Sequence, residues 1–135
     1  MLEVEIFGAD LVPDAPSPAR VRRLCALATA AAGVEDGHLA IEYVDAERIA
    51  QLNAEHRGKA GPTDVLSFPI DGATEHDGPE RELGDVVICP EHTLDLREAI
   101  VHGVLHLVGM DHETDSGEML ALQAELLKRP HPPAG

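Results

Sequence analysis

Three histidines between positions 102 and 112 are the residues best suited to do chemistry. His102 and His106 are four residues apart, so on a helix their Cβ atoms would lie on one face, about 5–6 Å apart. Gly109 follows within one turn, and a glycine there can take the left-handed conformation that ends a helix and turns the chain back toward His112. The spacing therefore predicts a three-histidine metal site with an open fourth position.

Three neutral imidazole nitrogens suit zinc or another borderline divalent ion. Catalytic zinc typically has three protein ligands and a water whose pKa is lowered to about 7. The alternative is a histidine-rich helix face that binds nothing, but a helix, a glycine stop and a third histidine in that order favour the metal. The other five histidines have no partner at a matching spacing, so we expect surface or capping roles for His38, His56, His76, His92 and His131.

The metzincin proteases use a similar spacing and carry a glutamate directly after the first histidine as general base. Here that position is Gly103, which cannot accept a proton. Hydrolysis of a peptide or small ester by that mechanism is therefore disfavoured. Asp111 and Glu113 flank the third histidine, but we expect both carboxylates to point outward, and no general base is assigned.

A second segment, from Leu52 to Pro69, has the pattern of a helix end, a basic glycine-rich loop and a strand. Together with the histidine motif it closely resembles the YbeY family of metal-dependent endoribonucleases and rRNA maturation factors. The resemblance extends from the first strand to the last helix. Its motifs are Leu52-Asn53, Arg57-Gly58-Lys59, the run from Pro62 to Pro69, the strand from Leu83 to Ile88, and the run from His102 to His112.

The resemblance implies a single-strand-specific, zinc-dependent endoribonuclease that acts in 16S rRNA 3′-end maturation and ribosome quality control. The implied ligands of zinc, or of another divalent transition metal, are His102, His106 and His112. Arg57 corresponds to the family's arginine and would act catalytically by holding the scissile phosphate, and Lys59 would add a weaker contact. A guanidinium suits this role because it stays charged and donates in a planar fork. Without the histidine motif, a solvated loop would be the better interpretation of Arg57 and Lys59.

Two positions depart from the family pattern. Met110 stands where an aromatic residue is usual, and His56 stands where a tyrosine is common. The implied partners are rRNA, the small ribosomal subunit and its basic proteins, with no DNA and no membrane. The main alternative is a non-catalytic ribosome assembly factor in which the metal is structural and Arg57 only grips rRNA.

The net charge of −15 argues against a strong nucleic-acid binder, because such proteins usually carry a basic surface. Much of the acid is remote from the predicted site, and a bound divalent ion would add positive charge there. We therefore expect weak, salt-sensitive RNA affinity, supplemented by docking on basic ribosomal proteins. An acidic surface without functional meaning explains the charge equally well. One predicted mobile loop collects Asp71, Glu75, Asp77, Glu80 and Glu82.

The 135 residues suit one α+β domain, a small mixed four-stranded sheet flanked by helices with a metal-binding cleft. We expect the domain to span residues 1–129 and a disordered tail to span 130–135. No segment approaches the ~20 apolar residues of a membrane span and no signal sequence is evident, so a cytoplasmic protein is expected. Cys25 and Cys89 are expected to be buried and unpaired.

Alternating apolar residues predict strands near 2–6, 39–43, 65–69 and 83–88. Helices are expected from Ser17-Pro18 to Gly33, from Asp45 to about His56, and from about Asp115 to Lys128. The metal helix should begin between Thr93 and Asp95. Its apolar face is expected to pack on the sheet and to leave the histidines facing a cleft, and it consists of Leu96, Ile100, Val104 and Leu107.

Overall fold

The computed structural model describes residues 2–71 and 81–129. The strands are β1 (Leu2–Phe7), β2 (Gly37–Tyr43), β3 (Val65–Pro69) and β4 (Glu82–Ile88). The helices are α1 (Pro18–Ala31), α2 (Ala46–Arg57), α3 (Leu96–Leu107) and α4 (Glu118–Lys128). Short 3₁₀ turns occupy Ala9–Leu11 and Pro90–His92.

The four strands form one mixed sheet in the order β1-β2-β4-β3. β1, β2 and β4 are parallel, and β3 is antiparallel to β4 at one edge. His38 pairs with Glu82 and the next residue, Leu39, pairs with Gly84, so Leu83 is an extra residue that bulges from β4. The predicted α+β fold with a four-stranded mixed sheet is confirmed.

Helices cover both faces of the sheet. α1, α3 and α4 pack against one another, and α3 also lies on β3 and β4. α2 covers the opposite face. The sheet offers apolar side chains to both faces because successive residues of a strand point to opposite sides. The apolar side of α3 is buried as predicted, except that Leu96 is only partly buried and the helix packs on α1 and α4 as well as on the sheet. The cluster under α2 consists of Val44, Ile49, Leu66, Val87 and Cys89.

The predicted starts of three helices are confirmed by their caps. Ser17 Oγ accepts a hydrogen bond from Arg20 N–H (3.2 Å), Asp45 caps α2, and Asp95 caps α3. The predicted start of α4 at Asp115 is wrong, because that helix begins at Glu118. The Asp115 carboxylate instead accepts from the N–H groups of Gly117 and Met119, so it caps the helix from outside.

The expected mobility of the acidic loop falls mostly on residues 72–80, and the expected tail is 130–135; both lie outside the described residues. The predicted burial of Cys25 and Cys89 as free thiols is confirmed, and burial raises the pKa of Cys25 to about 12. Within residues 2–71 and 81–129, every helix is too short or too polar to cross a bilayer.

His38 lies between two carboxylates on neighbouring strands, which the sequence pattern did not predict. Its Nε2 contacts Glu5 Oε1 on β1 (2.5 Å), and its Nδ1 contacts Glu82 Oε2 on β4 (3.0 Å). The hydrogen bond to Glu82, helped by that to Glu5, raises the pKa of His38 against the opposing effect of burial. A protonated His38 therefore links three strands.

Replacement of His38 by glutamine should lower stability in a pH-dependent way. Because the pKa of His38 is higher in the folded state, its stabilisation is fully present below the unfolded-state pKa and is lost as pH rises through the folded-state pKa. We expect wild type to melt a few degrees higher than His38→Gln at pH 6, with the gap closing toward pH 9 in thermal unfolding. His92→Gln, at an exposed histidine, is the control; an equal gap at both pH values would contradict the prediction.

Candidate metal centre and cleft

The chain reverses at Gly109, just after the C-terminus of α3, as the sequence predicts. Gly109 has φ +98°, the left-handed conformation that glycine accepts most readily. Its N–H donates to His106 C=O (3.0 Å), and the following Met110 N–H donates to Leu105 C=O (3.0 Å). These two bonds define a Schellman motif, which ends the helix and directs the chain toward His112.

The turn brings the three predicted histidines together. The ring centroids of His102 and His106 are 4.7 Å apart. The ring centroid of His112 lies 5.1 Å from that of His102 and 5.3 Å from that of His106. One nitrogen from each ring lies within 4.8 Å of the other two, and all three side chains are half-buried. The cluster is therefore compact enough for one ion to contact all three residues.

Hydrogen bonds orient two of the three rings. His102 Nδ1–H donates to Gln123 Oε1 on α4 (2.9 Å), and His106 Nδ1–H donates to the Met110 carbonyl (2.9 Å). Both bonds leave Nε2 with a free lone pair, as a metal ligand requires. His112 Nδ1 is buried and has no hydrogen-bond partner among the described residues. Three imidazole nitrogens of this kind are suitable ligands for a zinc-type divalent ion.

His106 favours the neutral state. Burial lowers its pKa below the ordinary histidine value, and the neighbouring His102 lowers the pKa further. A neutral imidazole is the form that binds metal, so this environment lowers the competition from protons.

Gly103 lies where α3 touches the sheet. A Cβ atom at this position would collide with the Val86 side chain on β4 and approach Ser67 Oγ to 3.3 Å. Ser67 Oγ–H also donates to the Gly103 carbonyl (2.8 Å). The helix can approach β3 and β4 this closely only with glycine here, so the protease-type glutamate is sterically excluded as well as absent.

A cleft of about 920 Å³ opens over the histidines. β3 and the end of α2 form one wall, and the turn from Gly109 to Glu113 forms the other. Arg57 lines the cleft and is exposed, and no carboxylate of the described residues pairs with its guanidinium. The sequence put Arg57 in a loop, which is wrong: it is the last residue of α2. Lys59 lies in the following loop and does not line the cleft.

Asn53 holds the loop that follows Arg57. Its side-chain Nδ2–H donates to Gly61 C=O (3.0 Å), and its backbone C=O accepts from Lys59 N–H (3.4 Å). The side chain is buried, so the loop is fixed against the last turn of α2. This role gives a physical reason for the Leu52-Asn53 part of the motif.

Three further residues of the cleft have separate structural roles. His56 packs its ring edge-on against Phe68, with centroids 4.8 Å apart, and both line the cleft. Asp111 Oδ1 accepts from Glu113 N–H (2.9 Å), so that carboxylate stabilises the turn holding His112. Met110 contributes its carbonyl to His106, a role that does not depend on the side chain at this position.

Gln123 and the packing role of Gly103 were not found from the sequence. Gln123 occupies the inward stripe of α4 between Met119 and Leu126, at a spacing of four and then three residues. A lone polar residue in such a stripe is a signal for a buried hydrogen-bond partner. For Gly103 no such signal exists, because its neighbours come from distant strands.

Gly103→Ala should destabilise the fold although alanine is the better helix former. The helix gain is about 1 kcal/mol, and overpacking against Val86 costs about 1–3 kcal/mol, so we expect a net loss of up to about 2 kcal/mol in denaturant unfolding. Adding Val86→Ala should make the double variant more stable than the sum of the single losses predicts. Strict additivity would contradict the proposed clash.

If the cluster binds a divalent ion, Gln123→Leu should weaken that binding, measured with zinc, about 10–100-fold, because an outer partner of a ligating histidine fixes its tautomer and orientation. Gln123→Glu keeps an acceptor oxygen and should retain tight binding. Competition with a chromogenic chelator measures both affinities. Equal loss in the two variants would indicate that packing of α4, not the hydrogen bond, matters.

Comparisons with known proteins identify the family of the chain. The family model described as "Endoribonuclease YbeY" matches residues 16–131. The Endoribonuclease YbeY of Rubrobacter xylanophilus is 40% identical over 128 residues, covering 90% of this chain and 87% of that protein. The Endoribonuclease YbeY of a Nocardioides species is 37% identical over 143 residues, covering 90% and 96%.

A solution structure from Thermotoga maritima has the same fold, with a TM-score of 0.52 and 24% identity over 92% of this chain and 86% of that one. The resemblance predicted from the two motifs is therefore confirmed, with a match that includes the histidine cluster, the basic loop and the strands between them. The chain belongs to the YbeY family.

Proposed function

We propose that the chain is a metal-dependent endoribonuclease that cleaves single-stranded rRNA in 3′-end maturation of 16S rRNA and in ribosome quality control. The observation that carries the proposal is that one cleft holds both the histidine cluster and Arg57, which pairs with no carboxylate in the described part of the chain. Membership of a family named for endoribonuclease activity supports the same reaction.

In this proposal His102, His106 and His112 hold one divalent ion, and zinc is the metal we infer from the all-nitrogen donor set. When bound, the ion supplies Lewis acidity and lowers the pKa of a coordinated water. Gln123 orients the ring of His102, and the Met110 carbonyl orients the ring of His106.

Arg57 is the residue we assign to the scissile phosphate. A guanidinium cannot be deprotonated near neutral pH and donates two parallel hydrogen bonds to phosphate oxygens. Because it lines the cleft without a carboxylate partner among the described residues, it is free to meet the substrate. Lys59, outside the cleft lining, would contact a phosphate further along the strand.

The pair of His56 and Phe68 supports a preference for single strands. Unpaired bases can stack on aromatic side chains, whereas bases in a duplex are already stacked on one another. The exposed His56 ring beside Phe68 offers such a surface inside the cleft. A tyrosine, common at position 56 in the family, could stack similarly.

We infer the small ribosomal subunit as the partner, and hence a cytoplasmic location. With a net charge of −15, the chain has little general attraction for RNA. Contact with basic ribosomal proteins would bring it to its substrate by complementary charge. The same surface would also suit the alternative, a non-catalytic assembly factor with a structural metal.

Cleavage of a labelled single-stranded fragment of the 16S rRNA 3′ end tests the proposal. Zinc-loaded wild type should cut it, whereas Arg57→Ala should lose about 10²-fold or more in kcat, the usual cost of removing a charge-stabilising donor. Pairing the fragment with a complementary strand should suppress cleavage. Ribosome association, measured by co-sedimentation, should persist in Arg57→Ala.

His106→Ala, prepared identically, controls for contaminating nucleases. Equal cleavage by all three proteins would indicate contamination. Two results together would favour the assembly factor. Arg57→Ala would lose ribosome association, and folded, zinc-bound wild type would not cut the fragment.

A further inference from the structure

The outer edge of β3 has no strand partner among the described residues and runs along the cleft. β3 is the terminal strand of the sheet, and every residue from Thr63 to Pro69 lines the cleft. The backbone groups on this edge are therefore available to a bound molecule.

Hydrogen bonds at both ends of β3 fix which residues face the open edge. Cys89 N–H donates to Asp64 C=O (2.8 Å), and Ile70 N–H donates to Leu83 C=O (3.1 Å). In an antiparallel pair, residues that bond to the partner strand alternate with residues that do not. The backbone N–H and C=O groups of the even-numbered residues of β3 thus bond to β4. Those of the odd-numbered residues face the open edge at the cleft.

Only one of the three outward positions keeps a free N–H. Val65 N–H donates to Asp64 Oδ1 (2.8 Å), and Pro69 has no N–H. Ser67 N–H has no acceptor among the described residues. The edge therefore presents a single backbone donor, at the centre of the strand.

Ser67 is also hydrogen-bonded to α3, the helix that carries His102 and His106. Its Oγ–H donates to Gly103 C=O (2.8 Å), and Gly103 follows His102 directly. The N–H of Ser67 is therefore held in a fixed position relative to the histidine cluster. Such a rigid donor needs no reorganisation when it meets an anion.

We propose that Ser67 N–H donates a hydrogen bond to a non-bridging phosphate oxygen of the RNA and so aligns the strand against the histidine centre. This inference rests on the proposed function. A single donor suits one phosphate better than an extended peptide, which would need a ladder of donors. Arg57 in the same cleft supplies the positive charge that a phosphate requires.

Three variants test the donor. Ser67→Ala loses the hydroxyl but keeps the N–H, Ser67→Pro loses both, and Val65→Pro removes an N–H that Asp64 already occupies. The proline already at position 69 indicates that this edge accepts proline at an outward position. We expect kcat/KM for the single-stranded fragment to fall at least about 10-fold from Ser67→Ala to Ser67→Pro, with Val65→Pro within about 3-fold of wild type.

Melting temperature and zinc affinity, measured for each variant, separate a lost donor from a lost fold. Equal kcat/KM for folded, zinc-bound Ser67→Ala and Ser67→Pro would overturn the inference. If Ser67→Pro does not fold, amide NMR of the wild type decides.

In the NMR measurement, a single-stranded RNA hexamer is titrated into metal-free wild type. The Ser67 amide proton should move downfield and further than that of Val65, whose donor is already bonded. A stationary Ser67 amide beside shifting Arg57 signals would overturn the inference. Absence of cleavage by wild type would refute the proposed function, and the NMR result would still decide whether Ser67 binds a phosphate.

Discussion

The position of the histidine cluster depends on one close contact, that of the α3 backbone at Gly103 with Val86 on β4. The contact fixes how far the helix stands from the sheet, and the hydrogen bond from Ser67 fixes its position along β3. His102 directly precedes Gly103 and His106 lies about one turn later, so both histidines reach the edge of the sheet where the cleft opens. A larger residue at 103 would move both histidines together, because they share one rigid helix.

The third histidine and the groups that orient the rings come from other parts of the chain. His112 depends on a turn held by Asp111, and His102 depends on Gln123 from α4. His106 depends on the backbone of its own turn. The site therefore assembles only when α3, the turn and α4 are packed, and the hydrogen bonds of His102 and His106 form through the same packing that buries the apolar core.

Much of this arrangement could be predicted from the sequence, because local signals dominate it. Histidine spacing and Gly109 predicted the three-histidine cluster, and alternating residues predicted four strands. What could not be predicted depends on pairing across the fold: the His38 bridge needs three strands in register, and the contact at Gly103 needs a strand 17 residues earlier. The start of α4 was misjudged because Asp115 caps the helix from outside, a pattern that resembles a helix start.

The open edge of β3 also bears on self-association. An exposed strand edge usually attracts another strand, and the resulting edge-to-edge pairing is a common route to aggregation. Here Asp64 occupies one donor and Pro69 removes another, so a second strand would find too few partners for a regular ladder. The chain can therefore leave this edge accessible at the cleft and still resist adding a β-strand from a neighbouring molecule at high concentration.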